Sequence, residues 1–173
     1  MRVIHAGDLT LEPQVAAHAA PMFDVLSDPA IYEYENGPPP SPEWLRERFE
    51  KLESRCSPDG QEQWLNWVIR VPASALAGYV QATVYGNGVA AIAYELASAY
   101  WGQGIARNAV RAMIEELAAH HGVHTVTAVL KRRNERSRRL LERLGFSPAP
   151  TELPAQHGGE PDERMMHRSA RVP

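Results

Sequence analysis

The stretch Tyr94-Glu95-Leu96-Ala97-Ser98-Ala99-Tyr100-Trp101-Gly102-Gln103-Gly104-Ile105-Ala106 runs from a strand through a glycine loop into the start of a helix. Val89 to Leu96 reads as the strand. Beyond the loop, Ala106, Ala109, Val110, Met113, Ile114, Leu117 and Ala118 recur at helical spacing until Gly122 stops them. Gly102 and Gly104 let the backbone approach a ligand closely. The N–H groups from Gln103 to Arg107 lie at a helix start, where they lack intrahelical acceptors and suit a pyrophosphate. The loop has neither the Lys-Ser/Thr of a Walker motif nor a third small residue at dinucleotide-fold spacing, which sets those two nucleotide sites aside.

Upstream, Gly86-Asn87-Gly88 is a hairpin signal joining Leu76–Tyr85 to Val89–Leu96, and Trp64–Val71 is a third strand in the same run. Downstream, Val123–Leu130 returns to strand chemistry, and its helical crossover from Val89–Leu96 makes the two strands parallel. Asn134–Leu144 is helical, with Leu140, Leu141 and Leu144 inward and Gly145 as terminator. Phe146–Leu153 and Glu163–His167 are two further strand candidates. Near the start, Leu9 and Leu11 alternate as a strand that Pro13 ends. Val15 to Leu26 then has helical spacing, kinked or restarted at Pro21. Ser41 is an N-cap before Pro42 and Glu43, and Trp44, Leu45, Phe49 and Leu52 mark one apolar face. This order predicts an α/β (α+β) domain with a mixed twisted sheet flanked by helices, a single domain over 1–173.

The chain has 173 residues, 44% hydrophobic and 23% charged, with a formal net charge of −3. No apolar run reaches the roughly 20 residues that cross a bilayer, and MRVIHAGDL lacks a signal-peptide core, so the expected location is cytoplasmic without a membrane partner. Cys56 is the single cysteine and has no partner for a disulfide or a zinc pair. The overall charge does not suit a nonspecific nucleic-acid binder. Locally, Lys131, Arg132, Arg133, Arg136, Arg138, Arg139 and Arg143 face only Glu135 and Glu142, which reads first as a solvated helix face. Gly122 separates His120 and His121 from His124, so no metal site is expected.

Gly104-Ile105-Ala106 matches the G-x-A end of the Q/R-x-x-G-x-G/A loop of the GCN5-related N-acetyltransferases (GNAT), with Trp101 where Gln or Arg is usual. Tyr100 to Ala106 resembles the form of that loop in the branch that includes acetyltransferases of ribosomal-protein N-termini. Asn134-Glu135-Arg136-Ser137 through Leu144-Gly145-Phe146 resembles the family's N-x-x-S helix and closing G-F. Leu9 to Pro13 and Leu26 to Tyr32 extend the likeness over most of the chain. The resemblance implies acetyl-coenzyme A as acyl-donor cosubstrate, in a cleft between splayed parallel strands, and an amine acceptor such as a protein N-terminus or a small-molecule amine. By the same analogy, backbone at Leu96 and Ala97 pairs with the pantetheine arm, and Trp101, Gly102, Gln103, Gly104, Ile105, Ala106 and Arg107 surround the pyrophosphate. Asn134 bonds the pantetheine or caps its helix, and Ser137 or a nearby Tyr protonates the departing thiolate. No metal is implied, and a homodimer is compatible.

An alkylamine with a pKa near 10.4 is mostly protonated at neutral pH, so a base assists its attack. Glu95 is the candidate, since it projects opposite to Ile92, Tyr94 and Leu96 on its strand. Ser137 stands three, four and seven residues before inward leucines, where a hydroxyl needs a partner or bonds the carbonyl four residues back. Tyr32, Tyr34 and Tyr94 are candidate substrate-side contacts. Two rival functions fit the same residues: a noncatalytic acyl-coenzyme A sensor, and an RNA- or ribosome-associated protein using the basic helix.

Overall fold

Eight strands join in one sheet among the residues described by a computed structural model, which are 1–34, 37–150 and 160–170. In chain order the strands are β1 (Ile4–Ala6), β2 (Leu9–Pro13), β3 (Glu62–Arg70), β4 (Leu76–Tyr85), β5 (Val89–Leu96), β6 (Thr125–Lys131), β7 (Ser147–Pro148) and β8 (Glu163–Ser169). The helices are α1 (Ala19–Leu26), α2 (Pro42–Leu52), α3 (Ile105–His120) and α4 (Glu135–Arg143). Across the sheet the order is β1-β2-β3-β4-β5-β6-β8-β7. Every neighbouring pair is antiparallel except β5 with β6, where the α3 crossover imposes parallel pairing.

Alternation along the strands divides the core between the two faces of the sheet. Trp67 and Ile69 of β3 pack with Val110, Met113 and Leu117 of α3 on one face. Val68, between them in sequence, packs with Met22 of α1 and Phe49 of α2 on the other. Trp67 is fully buried and its indole N–H donates to the Arg2 carbonyl at 2.9 Å, which satisfies the one polar atom that burial would otherwise strand. Each such buried side chain contributes about 1.5–3 kcal/mol of transfer free energy.

Several local expectations change in the folded chain. β1 was not anticipated, because three residues are too few to show alternation. Val15 to Leu26 divides into a 3-10 turn over Ala16–His18 and α1, with Pro21 in the first turn of α1, where no intrahelical N–H bond is lost. Ser41 caps α2, its hydroxyl accepting from the Trp44 N–H at 3.2 Å, yet Trp44 itself is 43% exposed rather than part of the buried stripe formed by Leu45 and Phe49. The Phe146–Leu153 candidate reduces to Ser147–Pro148 plus residues outside the described set.

Gly78 of β4 fixes the distance to β5. A Cβ there would stand 2.0 Å from the Glu95 carbonyl oxygen and 2.8 Å from the Leu96 Cα, so only glycine lets the two backbones meet at this point.

Candidate active site

β5 and β6 pair through only three registered positions, Val89 with Thr125, Ala90 with Val126 and Ala91 with Thr127. Beyond Ala91 no β6 partner is registered, while β5 stays paired with β4 as far as Leu96. The gap opens a cleft walled by Ile92 to Leu96, by Ala128 to Leu130, and by Asn134, Ser137 and Leu140 at the start of α4.

The register determines which backbone groups face this gap. Ala97 N–H donates to the Ala77 carbonyl at 2.9 Å, so odd-numbered residues of β5 direct their backbone groups toward β4. Even-numbered residues face the β6 side, as the bonds from His124 and Thr125 N–H to the Gly88 carbonyl also show. Ile92, Tyr94 and Leu96 therefore present backbone groups to the cleft. Ala97, expected to act beside Leu96, has both its groups occupied: N–H on Ala77, and C=O accepting from Tyr100 N–H at 2.9 Å. The Leu96 carbonyl accepts from the Trp101 indole N–H at 2.7 Å, which leaves its N–H as the cleft-facing group.

At the mouth of the cleft the loop turns into α3. Gly104 adopts φ +79° at the N-cap, and the first intrahelical bond runs from Asn108 N–H to the Gly104 carbonyl at 3.0 Å. The N–H groups of Ile105, Ala106 and Arg107 precede that bond and point out of the helix end, a ready site for phosphate oxygens. A Cβ built on Gly102 or Gly104 meets nothing within 4 Å, so the space in front of this backbone is open. Gln103 donates from its side-chain amide to the Ala99 carbonyl at 2.8 Å, stiffening the turn. The open cleft, the exposed N–H row and the unobstructed glycines fit an elongated phosphate-bearing thioester such as acetyl-coenzyme A.

Trp101, in place of the usual Gln or Arg, holds the two walls together. Its ring lies 3.6 Å from the Arg136 guanidinium, a cation–π contact from the β5 loop to α4. Asn134 is the N-cap of α4, its side-chain oxygen accepting from Ser137 N–H at 3.0 Å, and it also lines the cleft. Ser137 does not bond the carbonyl four residues back. Its Oγ lies 2.7 Å from the Tyr94 phenol oxygen, across the cleft. Tyr94, named as a candidate substrate-side contact, lines this cleft beside Ser137.

On the opposite face of β5, Glu95 lines a second cavity of about 330 Å³ together with Gln14, Tyr32, Arg48, Tyr79 and Gln81. Glu95 lines both cavities. Tyr79 is its cross-strand neighbour and hydrogen-bonds its carboxylate. Burial, then the Glu95 charge, pushes the Tyr79 phenol well above its ordinary value, so it stays a protonated donor. Burial, followed by the charges of Glu95 and Asp28, raises Tyr32 as well, and its hydroxyl donates to the Leu26 carbonyl at 2.7 Å. Tyr34 instead lines the cofactor-side cleft, beneath the Arg133 guanidinium at 5.6 Å.

Sequence reading missed Tyr79, Gly78 and Asp28. The Asp28 carboxylate accepts from Ala30 N–H at 3.0 Å and from Ser98 N–H at 2.6 Å, tying the 3-10 turn over Pro29–Glu33 to the end of β5. The bond to Ser98 holds the Asp28 pKa below its usual range. Of these, Asp28 alone lay in a stretch singled out in the sequence, the Leu26-to-Tyr32 likeness.

The basic run is largely engaged within the chain. Lys131 pairs with Glu160, Asp162 and Glu163, Arg138 with Glu135 and Glu142, and Arg136 with Glu33 at 3.6 Å. His120 ends α3 and Gly122 follows at φ +66°, so His124 is not on the same helix. His120 and His121 flank the buried Glu116, each at 3.8 Å, and Arg2 pairs with the same carboxylate at 2.7 Å.

A family model described as an acetyltransferase (GNAT) domain matches residues 8–147. The chain belongs to this family. Its fold is shared with a GNAT-family acetyltransferase from Bacillus anthracis, at TM-score 0.77 and 17% identity over 98% of this chain and 99% of that one. RimL, a ribosomal L7/L12 α-N-protein acetyltransferase in complex with coenzyme A, superposes at TM-score 0.82 with 18% identity, covering 97% of this GNAT chain and 98% of its own. A ribosomal-protein-S5-alanine acetyltransferase from Vibrio fischeri gives TM-score 0.79 and 19% identity over 98% and 97%. No curated protein matches by sequence.

Proposed function

We propose that this GNAT protein transfers the acetyl group of acetyl-coenzyme A directly to a primary amine. The observation that carries the reading is that Glu95 lines two cavities, one walled by backbone as a cofactor cleft would be and the other by side chains as an acceptor pocket would be. Acetyl-coenzyme A, when bound, supplies a thioester carbon open to attack by the amine.

The chain's own residues supply the rest. Ile105, Ala106 and Arg107 N–H groups, with Gly102, Gln103 and Gly104 shaping the approach, hold the pyrophosphate. Backbone of Ile92, Tyr94 and Leu96 aligns the pantetheine as an added strand would be aligned, and a cleft-facing N–H of this set offers a bond to developing oxyanion charge. Trp101 and Asn134 fix the two walls. Glu95, oriented by Tyr79, takes a proton from the acceptor ammonium. The Ser137 and Tyr94 hydroxyls are hydrogen-bonded at 2.7 Å, and this pair protonates the departing sulfur.

The test is a thermal shift and a heat of binding with acetyl-coenzyme A, followed by thiol release with a panel of primary amines. A ligand that binds only the folded state raises the melting temperature. Saturating cofactor without either signal would remove the family-based reading of the cleft. Binding without thiol release from any amine would favour the acyl-coenzyme A sensor instead.

A further inference from the structure

The cavity on the α2 side of β5 carries a pattern of donors that describes its occupant. Gln14 is 3% exposed, and its side-chain amide nitrogen has no hydrogen-bond partner among the described residues. Leaving such a buried donor unpaired is costly, and an oxygen atom of a ligand would satisfy it. Arg48 stands at the exposed rim, 5.7 Å from the Trp44 ring, with no carboxylate in ion-pair range among the described residues. Its neighbour Arg46 does have one, in Glu50 at 3.1 Å. Glu95 is the one acidic residue among the described lining residues, and Arg48 the one basic residue.

With one acid and one base among its described lining residues, the cavity does not suit a polycation, since a second ammonium would meet Arg48 rather than a carboxylate. It suits a zwitterion. We infer that the acceptor carries a carboxylate on the same small skeleton as its amine, with the amine at Glu95, the carboxylate at Arg48 and one of the acceptor's oxygens within reach of Gln14. This rests on the acetyl-transfer reading for the amine end, and Arg48 is its specificity-determining residue. The carboxylate has two sources, the α-carboxylate of a free amino acid or the acidic side chain of a peptide whose second residue is Asp.

The experiment is thiol release from acetyl-coenzyme A with L-alanine, L-alaninamide, an amidated Ala-Asp-Gly peptide and spermidine, on the full chain and on Arg48→Gln and Arg48→Lys. Either L-alanine or the acidic peptide should exceed L-alaninamide and spermidine in kcat/KM by about tenfold, the scale of a charge-assisted contact made or lost. Preference between the first two identifies the source. Arg48→Gln should erase that advantage mainly through KM, and Arg48→Lys should restore part of it, with circular dichroism showing that both variants fold. Equal or better use of spermidine or L-alaninamide overturns the inference while leaving acetyl transfer standing. Thiol release from none of the four overturns both.

Discussion

The two cavities that Glu95 lines are built from different materials. The cleft toward β6 is walled by backbone and by one helix end, because two parallel strands separate after three registered pairs. The cavity toward α2 is walled by side chains from segments far apart in sequence, Gln14, Tyr32, Arg48, Tyr79 and Glu95 among them. A backbone surface is insensitive to most substitutions and recognises what any member of the family must bind. A side-chain surface can be changed one residue at a time, so under the proposed function acceptor choice would rest on it.

The comparison breaks most sharply at the shared residue. Glu95→Gln should lower turnover by about 10²–10⁴, the usual range for a general base, and flatten the ascending alkaline limb while leaving cofactor affinity nearly intact. Parallel loss of cofactor binding, measured by calorimetry, would show that the two sides are not separable. Next in size is Gly78→Ala, whose Cβ would collide with β5 backbone 2.0 Å away. Displacing that backbone should cost about 1–3 kcal/mol in urea denaturation and reduce turnover, as overpacking does. Unchanged stability would mean that β4 and β5 move apart freely.

Gly104→Val tests the backbone side alone. The position has φ +79° and open space before it, so the variant should fold with a penalty of about 1–2 kcal/mol from the left-handed conformation and bind acetyl-coenzyme A at least tenfold more weakly. A folded variant with unchanged affinity would misplace the phosphate site. Ser137→Ala should slow transfer more modestly, because Tyr94 remains to donate, and a thioester with a more acidic thiol should lose less than acetyl-coenzyme A. Equal losses for both thioesters would assign the 2.7 Å contact to packing.

The smallest effect lies outside both cavities. His18 accepts from Val15 N–H at its Nδ1, which requires a neutral ring, and burial is the main cause holding its pKa below the ordinary 6.5. His121 is lowered for the same first reason. A lowered histidine value means that the unfolded chain takes the proton first. Stability is therefore full above about pH 6.5 and falls as pH drops through the window between that value and the folded one. Arg70 hydrogen-bonds the Glu12 carboxylate and lowers it from 4.5, so its contribution is lost only at still lower pH. The urea midpoint should fall between about pH 7.5 and about pH 5.5, less so in His18→Gln, and a flat profile would count against buried neutral rings.

The same contrast explains what was legible in the sequence. The glycine loop, the Asn134-to-Phe146 block and the Gly86-Asn87-Gly88 hairpin are local patterns, and each lies where its spacing put it because one turn or helix end decides it. Glu95 was legible in its facing, since alternation on β5 is also local. Tyr79 was not, because nothing near it in sequence shows that register sets it opposite Glu95. Gln14 and Arg48 were hidden for the same reason, lying 81 and 47 positions before Glu95. Ala97 was named by analogy alone, and that its N–H is bonded to the Ala77 carbonyl follows from a ladder parity that only pairing with β4 reveals.

That parity limits how the gene for such a protein can drift in length. A one-residue insertion between Ile92 and Tyr94 would turn every following cleft-facing amide toward β4 and swing Glu95 to the other face, two failures from one codon. A two-residue insertion would keep the parity but slide the carboxylate roughly 6–7 Å along the strand, away from Tyr79. The strand can therefore vary by substitution and not by length.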